Sequence, residues 1–414
     1  MLADGLLTSY GALLVGALVP IWCASRASIQ VPKSVKKKWK ELAQEGKEKA
    51  VEEDEEEEDE VERLTAEDAY LFPILGSAVL FGLFLAFKYL DKALLNRILG
   101  GYIAVMGIGA LARALGDFAK GVIGTKRTDK FDKYSLALNK TKEEQFKLSF
   151  TRLHIFACIG AVALTFGQQY TQNWILSNLL ALSLAYSAIS LFYVDSFATG
   201  SALLGGLFLY DIWWVFGSKA VFGNGADVMV AVAKNFDAPI KIVFPKDLAN
   251  AKDFTLLGLG DIVLPGSFLA LALRFDYHQA IKRALSKSKS PPRPSESFPK
   301  PYFLASFVAY IGGLVTTIFV MHHFRAAQPA LLYLSPACVG SVTLLAIIRG
   351  ESSELWTWED GEEERKERER KEKEAKDKKE KDEKEVEKEP TVETTSIEVD
   401  APGGALRSRA AATQ

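Results

Sequence analysis

Residues 205–217 read GGLFLYDIWWVFG, an apolar run in which Asp211 is the only charged side chain. The run lies within a longer stretch, residues 196–218, that carries no other charge. A bilayer core takes about 20 apolar residues per helix, because backbone polar groups in lipid must be satisfied within the segment itself. The stretch therefore predicts a membrane-spanning helix with a carboxyl group inside it.

Eight further stretches along the chain have the same apolar character. Together they predict an all-α polytopic membrane protein with nine transmembrane helices. Asp, Glu, Lys and Arg are absent from all of them except residues 196–218 and 254–273, which carry one Asp each. The predicted spans are residues 5–25, 70–87, 98–112, 153–173, 174–194, 196–218, 254–273, 302–321 and 326–348.

Charge is concentrated in two segments outside these spans. Residues 31–69 hold 23 charged side chains and residues 351–414 hold 35, which leaves 44 for the other 311 residues. This distribution argues against a soluble globular protein of this size. The net charge of −2 argues against a nucleic-acid-binding protein, because the basic clusters adjoin apolar runs and form no single stripe.

The cysteines and histidines point to no metal, cofactor or disulfide. Cys23, Cys158 and Cys338 all lie in apolar stretches, so no disulfide framework is predicted. The four histidines have no Cys or acidic neighbours at the spacing of metal ligands. We therefore predict a protein without a metal centre or a cofactor.

The distribution of Lys and Arg between the spans predicts the orientation of the chain. Alternate loops carry 26 of these residues on one side and 9 on the other, before the C-terminal region is counted. Because basic loops stay in the cytosol, the N-terminus is predicted to be lumenal and the C-terminus cytosolic. The first span ends in small residues like those of a signal-peptide cleavage site, but it lacks a basic n-region. Lysines follow it from Lys33, so an uncleaved anchor is favoured.

These features divide the chain into four segments. They are the first span at residues 1–25, a charged cytosolic loop at 26–69, a membrane-embedded core at 70–348 and a charged cytosolic tail at 349–414. The acidic run 52–60 is predicted to be solvated and disordered. Residues 362–389 predict either a single exposed helix or no stable structure, and residues 286–301 predict a flexible linker.

Two intramembrane aspartates are the candidate functional groups. Ionisable groups within a span cost about 2.5 to 3.5 kcal/mol to insert and so mark functional sites. Asp211 lies seven residues before the end of its span, and Asp261 lies seven residues after the start of the next. If both segments are antiparallel helices, the carboxyl groups lie at one depth, about 10 Å from the face of the loop between them.

Paired carboxyl groups suit peptide hydrolysis. Two such groups in a low-dielectric site hold one proton between them, which supplies a base for water and an acid for the leaving amide. Three alternatives stay open on spacing alone. Each Asp can be a lone buried group bonded to Ser, Tyr or backbone, the pair can serve a proton-coupled transporter, or the protein can be an inactive scaffold that binds membrane-protein clients.

Three short motifs resemble the signatures of intramembrane aspartyl proteases, the presenilin and signal peptide peptidase families. They are Tyr210-Asp211, Gly258-Leu259-Gly260-Asp261 and Pro329-Ala330-Leu331, on the sixth, seventh and ninth predicted spans. Residues 205–217 and 238–245, together with Phe72-Pro73-Ile74, are similar to the signal peptide peptidase family over longer runs. The resemblance covers about residues 70–348 and excludes the charged tail.

The resemblance implies a presenilin-like fold and an aspartic-type endopeptidase with Asp211 and Asp261 as its catalytic dyad. The implied substrates are signal peptides and other type II-oriented membrane segments, cleaved in the endoplasmic reticulum membrane. A homo-oligomer and quality-control partners for membrane proteins are compatible with it. It also implies substrate-binding roles for Tyr210, Gly258, Leu259, Gly260, Pro329, Ala330 and Leu331.

Departures from the family pattern concern the margins of the site and the termini. Residues 220–227 look like an insertion after the sixth span, and the chain ends in AATQ without a two-lysine retrieval signal. Presenilins run the opposite way through the membrane and have a long hydrophilic loop between spans six and seven, where this chain has 35 residues. The charge count therefore favours the signal peptide peptidase family.

The motif residues also have purely structural interpretations. Gly258 and Gly260 can bend a helix before Asp261 and admit substrate or water, or they can simply allow close helix packing. Pro329 suits the first turn of any helix, and Tyr210 can pack as an aromatic ring or donate a hydrogen bond. Residues 238–245 alternate enough to predict a short strand, to which an unwound substrate can add.

Overall fold

The computed structural model describes residues 2–44, 63–123, 133–140, 143–221, 232, 239–246, 253–287, 289–324, 328–362, 365 and 370. Its helices are α1 Leu2–Ala27, α2 Lys33–Gln44, α3 Ala66–Tyr89, α4 Lys92–Ile123, α5 Arg152–Thr171, α6 Trp174–Leu191, α7 Phe197–Ile212, α8 Ser218–Val221, α9 Gly260–Ser286, α10 Pro301–Phe324, α11 Leu331–Arg349 and α12 Ser352–Thr357. A π-helical turn, Trp213–Gly217, joins α7 to α8.

Six strands form three two-stranded sheets within the described residues. The parallel pair is β1 Arg63–Leu64 with β4 Tyr193–Val194. The antiparallel pairs are β2 Lys133–Lys140 with β3 Glu143–Thr151, and β5 Lys241–Pro245 with β6 Phe254–Gly258. The sequence predicts only the β5 strand, which is confirmed over residues 241–245, while Ala238 lies outside the described residues.

Seven of the described helices are long and apolar enough to cross a membrane. They are α1, α3, α4, α6, α7 with its π turn, α10 and α11. The predicted fourth and seventh spans lie in α5 and α9, which are not among the seven. A mainly helical, polytopic membrane protein is thus confirmed, and the count of nine spans stays a prediction.

Two predicted spans have the wrong boundaries. The third, residues 98–112, is only the middle of the 32-residue helix α4. The helix continues through Arg97 and Arg113, because an arginine ends an apolar run but is itself a good helix former. The seventh, residues 254–273, is wrong at its start, because Phe254–Gly258 is strand β6 and the helix begins at Gly260. A five-residue apolar run fits a strand as well as a helix, so periodicity alone does not separate them.

Side-chain contacts join loops and helix ends at each of the two ends of the helices. At one end, Ser9 Oγ donates to the Pro245 carbonyl (2.7 Å) and Asn178 Nδ2 donates to the Val243 carbonyl (2.7 Å), so the starts of α1 and α6 meet β5. At the other end, the Arg274 guanidinium donates to Ser28 Oγ and to the Val194 carbonyl, both at 3.3 Å. These contacts agree with spans that alternate in direction.

Helix α9 lies at the centre of the core. Nearly every side chain from Ile262 to Ile281 is buried, and its neighbours are α1, α6, α7, α10 and α11. A helix that is buried all round needs apolar residues on every face, except where a polar group finds a partner inside. Arg274 and Asp276 are two such groups, and both are bonded within the protein.

Asp276 caps a neighbouring helix. Its carboxylate accepts hydrogen bonds from the backbone N–H groups of Tyr302 (3.2 Å) and Phe303 (2.8 Å) in the first turn of α10. Those N–H groups have no partner within their own helix, so a side chain from α9 takes the role of an N-cap.

Loss of this cap is expected to destabilise the protein. For Asp276→Ala we expect the free energy of unfolding to fall by about 1 to 2 kcal/mol, because two buried N–H donors lose their acceptor. Asp276→Asn keeps one acceptor oxygen and should lose less. Thermal unfolding of the purified variants measures both changes, and an alanine variant as stable as the asparagine variant would contradict the capping role.

The segment that follows α11, residues 351–361, packs against the body of the protein. Trp358 contacts the rings of Phe197 and Phe275, with centroid distances of 6.1 and 5.2 Å. Asp360 Oδ2 lies 2.8 Å from Arg274 Nε, and the Asp360 N–H donates to the Asp195 carbonyl (2.7 Å). We call residues 351–361 the C-terminal segment. The compact unit that contains it ends at Gly361, and a second unit begins at Glu362.

Residues 289–300 lack regular structure but are not a loose linker. Their Pro291 carbonyl accepts a hydrogen bond from Trp39 Nε1 (3.0 Å), the Pro292 carbonyl accepts one from the Tyr277 hydroxyl (3.0 Å), and Phe298 is buried. The predicted flexibility is therefore wrong for this stretch, because proline carbonyls and an aromatic ring anchor it. The acidic run 52–60, residues 222–227 and nearly all of residues 362–389 lie outside the described residues.

Candidate active site

Asp211 lies in the last turn of α7, just before the π turn. Its side chain is 3% exposed, and its Oδ2 accepts a hydrogen bond from the backbone N–H of Leu331 (3.2 Å). Leu331 is the first residue of α11, so the carboxylate of one helix lies at the N-terminus of another. The free N–H groups and the positive dipole end of that helix stabilise a negative charge there.

Asp261 is the second residue of α9, and its side chain is half-buried. It does not lie seven residues into a helix, so the depth argument made from residue 254 is wrong. The aspartates come together for another reason: Asp261 lies in the first turn of α9, where Leu264 packs against the cluster formed by Leu207 of α7 and Leu331 of α11. This packing brings the helix ends that carry the two carboxyl groups together.

The two glycines of the second motif, Gly258 and Gly260, flank a junction between strand and helix, not a bend within a helix. A Cβ at Gly258 would lie 3.5 Å from Asp261 Oδ2, so a side chain there would be in van der Waals contact with the carboxyl group. Gly260 is exposed, and a Cβ there would meet no atom within 4 Å. The site is thus open on the side of Gly260. Leu259, between the two glycines, is half-buried.

The Pro-Ala-Leu motif lies directly beside Asp211. Ala330 is the N-cap residue of α11, and Pro329 and Ala330 are both buried. Leu331 packs with Leu203 and Leu207 of α7. Because proline carries no N–H, the first backbone donors of this helix come after it, where Leu331 reaches Asp211.

Tyr310 is a site residue that the sequence does not reveal. It is completely buried on α10, and its hydroxyl donates a hydrogen bond to the backbone carbonyl of Asp261 (3.2 Å). A tyrosine inside an apolar span looks like any other core aromatic. Its role in holding the first turn of α9 depends on a contact 49 residues away along the chain.

Tyr210 packs as an aromatic ring. A Cβ at Gly76 of α3 would lie 3.7 Å from its ring, and the Trp214 ring lies 6.4 Å away, centroid to centroid. Among the residues that the structure describes, its hydroxyl has no hydrogen-bond partner. Of the two interpretations of Tyr210, the described residues support aromatic packing, and contact of Tyr210 with substrate stays a prediction.

A groove of about 440 Å³ runs between α3 and α7 beside Tyr210. Its lining is mainly apolar and includes Tyr70, Pro73, Ser77, Gly206, Tyr210 and Trp213. The floor is formed by a close contact, because a Cβ at Gly206 would lie only 2.7 Å from Pro73 Cγ. Pro73 belongs to the Phe-Pro-Ile element of the second predicted span.

Two adjacent glycines of α7 test this contact. Gly206→Ala is expected to destabilise the protein by about 1 to 3 kcal/mol, because the new methyl group forces α3 away from α7. Gly205→Ala is the matched control, since a Cβ there meets no atom within 4 Å and alanine favours a helix by about 1 kcal/mol. The unfolding temperature should rise in the order Gly206→Ala, wild type, Gly205→Ala. Equal unfolding temperatures of the two variants would refute the contact.

Among the described residues, one edge of the β5–β6 sheet is covered and the other is open. On β5, the N–H and carbonyl of Val243 both bond to the side-chain amide of Asn178, at 2.9 and 2.7 Å. On β6, the alternation of antiparallel pairing directs the backbone groups of Leu256 and Gly258 away from β5. The Leu256 side chain is 59% exposed, so the free edge leads along β6 towards Asp261.

Comparisons with known proteins give matches over most of the chain. The family model for signal peptide peptidase matches residues 56–362. Signal peptide peptidase of Homo sapiens is 36% identical over 367 residues, which cover 86% of this chain and 85% of the human protein. The Mus musculus protein of the same name is 37% identical over 86% of this chain and 84% of its own. Intramembrane protease 2 of Caenorhabditis elegans is 42% identical over 56% of this chain and 49% of its own.

Proposed function

Because the chain belongs to the signal peptide peptidase family, we propose that it is an aspartic-type intramembrane endopeptidase whose dyad is Asp211 and Asp261. The observation that carries the proposal is the meeting of the three motifs. Leu331 of the third motif donates to Asp211 of the first. The start of α9, which carries Asp261 of the second, packs against the cluster that contains Leu331 and Leu207 of α7. A lone buried Asp in each helix explains none of these contacts.

The proposed chemistry is direct attack of water on a peptide bond. One carboxylate takes a proton from water, whose oxygen attacks the carbonyl carbon. The other carboxyl group gives its proton to the amide nitrogen as the C–N bond breaks, so no covalent intermediate forms. The pair acts as a unit, and neither role is assigned to one residue.

The proposed substrates are signal peptides and other type II-oriented membrane segments of the endoplasmic reticulum. In this proposal the chain crosses the membrane nine times, with a lumenal N-terminus and a cytosolic C-terminus, as the 26 to 9 distribution of Lys and Arg favours. The groove beside Tyr210 would give a helix in the bilayer a lateral route to Asp211. The bilayer and client membrane proteins are its proposed partners.

A helical substrate hides its peptide bonds, so it must unwind before cleavage. We propose that the unwound stretch pairs with the free edge of β6, because Asn178 and the start of α1 cover the edge of β5. Pro329, Ala330, Gly258 and Gly260 border the space in which the paired stretch would reach the dyad. Leu259, between the glycines, would contact it.

A proline at Leu256 tests this pairing. Leu256→Pro removes a backbone N–H that points away from β5, so the β5–β6 ladder keeps its bonds while the free edge loses a donor. We expect cleavage of membrane substrates to fall by up to about tenfold, because one hydrogen bond contributes at most about 1.5 kcal/mol. Leu256→Ala keeps the N–H and should cleave nearly as wild type, as judged from initial rates. Equal activity of the two variants would rule out pairing at this edge.

The decisive experiment for the proposed function uses purified full-length protein and a signal-peptide substrate in detergent. Mass spectrometry of the products should locate cuts inside the apolar segment, and an aspartyl transition-state analogue should stop them. A soluble peptide of similar length serves as the control substrate and should stay intact. Intact signal peptides after incubation would instead direct attention to proton-coupled transport or client binding.

A further inference from the structure

Helix α2 is held to the body of the protein by one face. Val35 and Trp39, one turn apart, are 3% and 6% exposed, and Trp39 Nε1 donates to the Pro291 carbonyl (3.0 Å). The Arg293 guanidinium lies over the Trp39 ring at 6.0 Å. These contacts fix the rotation of the helix about its own axis.

The opposite face of α2 is basic. Lys33, Lys37 and Lys40 recur at spacings of four and three residues, which place them on one helical face, and all three are exposed. Lys38 is exposed as well, whereas Glu41 is the only acidic residue in the helix. Lys33 and Lys40 also make contacts within the protein, so their positions are partly constrained.

Chain connectivity places this basic face at a membrane surface. Helix α1, one of the seven helices able to span a membrane, ends at Ala27, and α2 begins only six residues later at Lys33. Arg26 lies over the Trp22 ring at 5.4 Å in the last turns of α1. An Arg–Trp pair of this kind is typical of the boundary between hydrocarbon and headgroups.

Further cations gather at the same end of α1. Lys300 lies over the Phe298 ring at 4.7 Å, and both burial and the nearby positive charge of Arg26 lower the pKa of its ammonium group. Asp276 opposes this effect. Repulsion between Arg26 and Lys300 costs energy, which an anion bound at the surface would relieve.

From these features we infer that the basic face of α2 binds the headgroups of anionic phospholipids. The helix lies at the headgroup level, its apolar face is already used by the protein, and its exposed charges match the phosphate groups of one leaflet. The acidic run 52–60 follows in the sequence, and the lipid must compete with it in the full chain. The inference concerns lipid binding and does not depend on protease activity.

The test measures lipid retention by the full-length protein. Native mass spectrometry in detergent counts bound phosphatidylserine and phosphatidylcholine for the wild type and for the triple variant Lys33→Gln, Lys37→Gln, Lys40→Gln. Each lysine near an anionic surface contributes about a fivefold gain in affinity, so the variant should bind phosphatidylserine about 100-fold more weakly at low salt. Phosphatidylcholine retention should not change.

Two controls separate this site from a general effect of charge. A triple variant at the opposite end, Lys88→Gln, Lys92→Gln, Arg97→Gln, removes the same charge from the α3–α4 junction and should retain the lipid. Arginine at positions 33, 37 and 40 should restore binding. Equal loss in both glutamine variants, or no loss in the α2 variant when its unfolding temperature matches wild type, would overturn the inference.

Discussion

Replacing Asp261 by Asn is expected to slow peptide cleavage by a factor of about 10² to 10⁴, the range that proton transfer by a positioned side chain contributes. Asparagine has nearly the shape of aspartate but can neither take a proton from water nor give one to the leaving amide. Asp211→Asn should have an effect of similar size and keeps an acceptor for the Leu331 N–H. Because the two act as a unit, the double variant should be little slower than the worse single variant.

The matched control for this prediction lies on the same helix. Asp276 is as deeply buried as Asp211, at 2% and 3% exposure, but it caps α10 instead of facing the dyad. Asp276→Asn should therefore cleave at nearly the wild-type rate when the amount of folded enzyme is equal. The quantity to compare is kcat/KM for a signal-peptide substrate. A variant of Asp211 or Asp261 that keeps more than a tenth of the wild-type value would show that this Asp takes no part in the reaction.

The second large effect is expected at Arg274. Its side chain is 3% exposed and its partner Asp360 is 15% exposed, and Arg274 also lies over the Tyr193 ring at 4.7 Å. Removing one member of a buried ion pair leaves the other charge without a partner, which costs about 3 to 5 kcal/mol. Arg274→Ala should lower the unfolding temperature accordingly, as measured by thermal unfolding in detergent.

Arg283 provides the comparison. It lies on the same helix, 3.7 Å from Glu351, but the two side chains are 43% and 25% exposed. Exposed pairs contribute about 0 to 1 kcal/mol, so Arg283→Ala should shift the unfolding temperature little. The combination of Arg274→Met with Asp360→Asn removes both charges and should recover part of the loss. Similar shifts for Arg274→Ala and Arg283→Ala would show that burial of the pair is unimportant.

The helices that cross the membrane could be predicted because about 20 apolar residues in a row have few other uses. Strand β6 could not, since its five residues are as apolar as the helix that follows, and their pairing partners lie in a separate segment. The two Asp residues could be named from their cost in lipid, but the reason given for their proximity was wrong. They approach because the start of α9 packs against the end of α7 and the start of α11, not because both lie at equal depth in long helices.

Contacts between distant residues account for most of what the sequence did not reveal. The bond from Tyr310 to the Asp261 carbonyl joins residues 49 apart, and the bond from Leu331 to Asp211 joins residues 120 apart. In the sequence, Arg274 is an ordinary charged residue at the margin of a predicted span. Asp360 is one of many charged residues in the predicted tail. Only the folded chain shows that the predicted charged tail starts with the C-terminal segment, whose Trp358 and Asp360 contact the core.

The contact between Asp360 of the C-terminal segment and Arg274 holds one part of α9, so that a tilt of the helix displaces the end that carries Asp261. Arg274 is thirteen residues from Asp261, a distance of about 20 Å along the helix axis. With Arg274 fixed, a tilt of about 5° displaces the Asp261 end by roughly 2 Å, and a misplacement of about 1 Å can cost a hundredfold in rate. The alignment of the carboxyl groups therefore depends on how stiffly the far end of the helix is held.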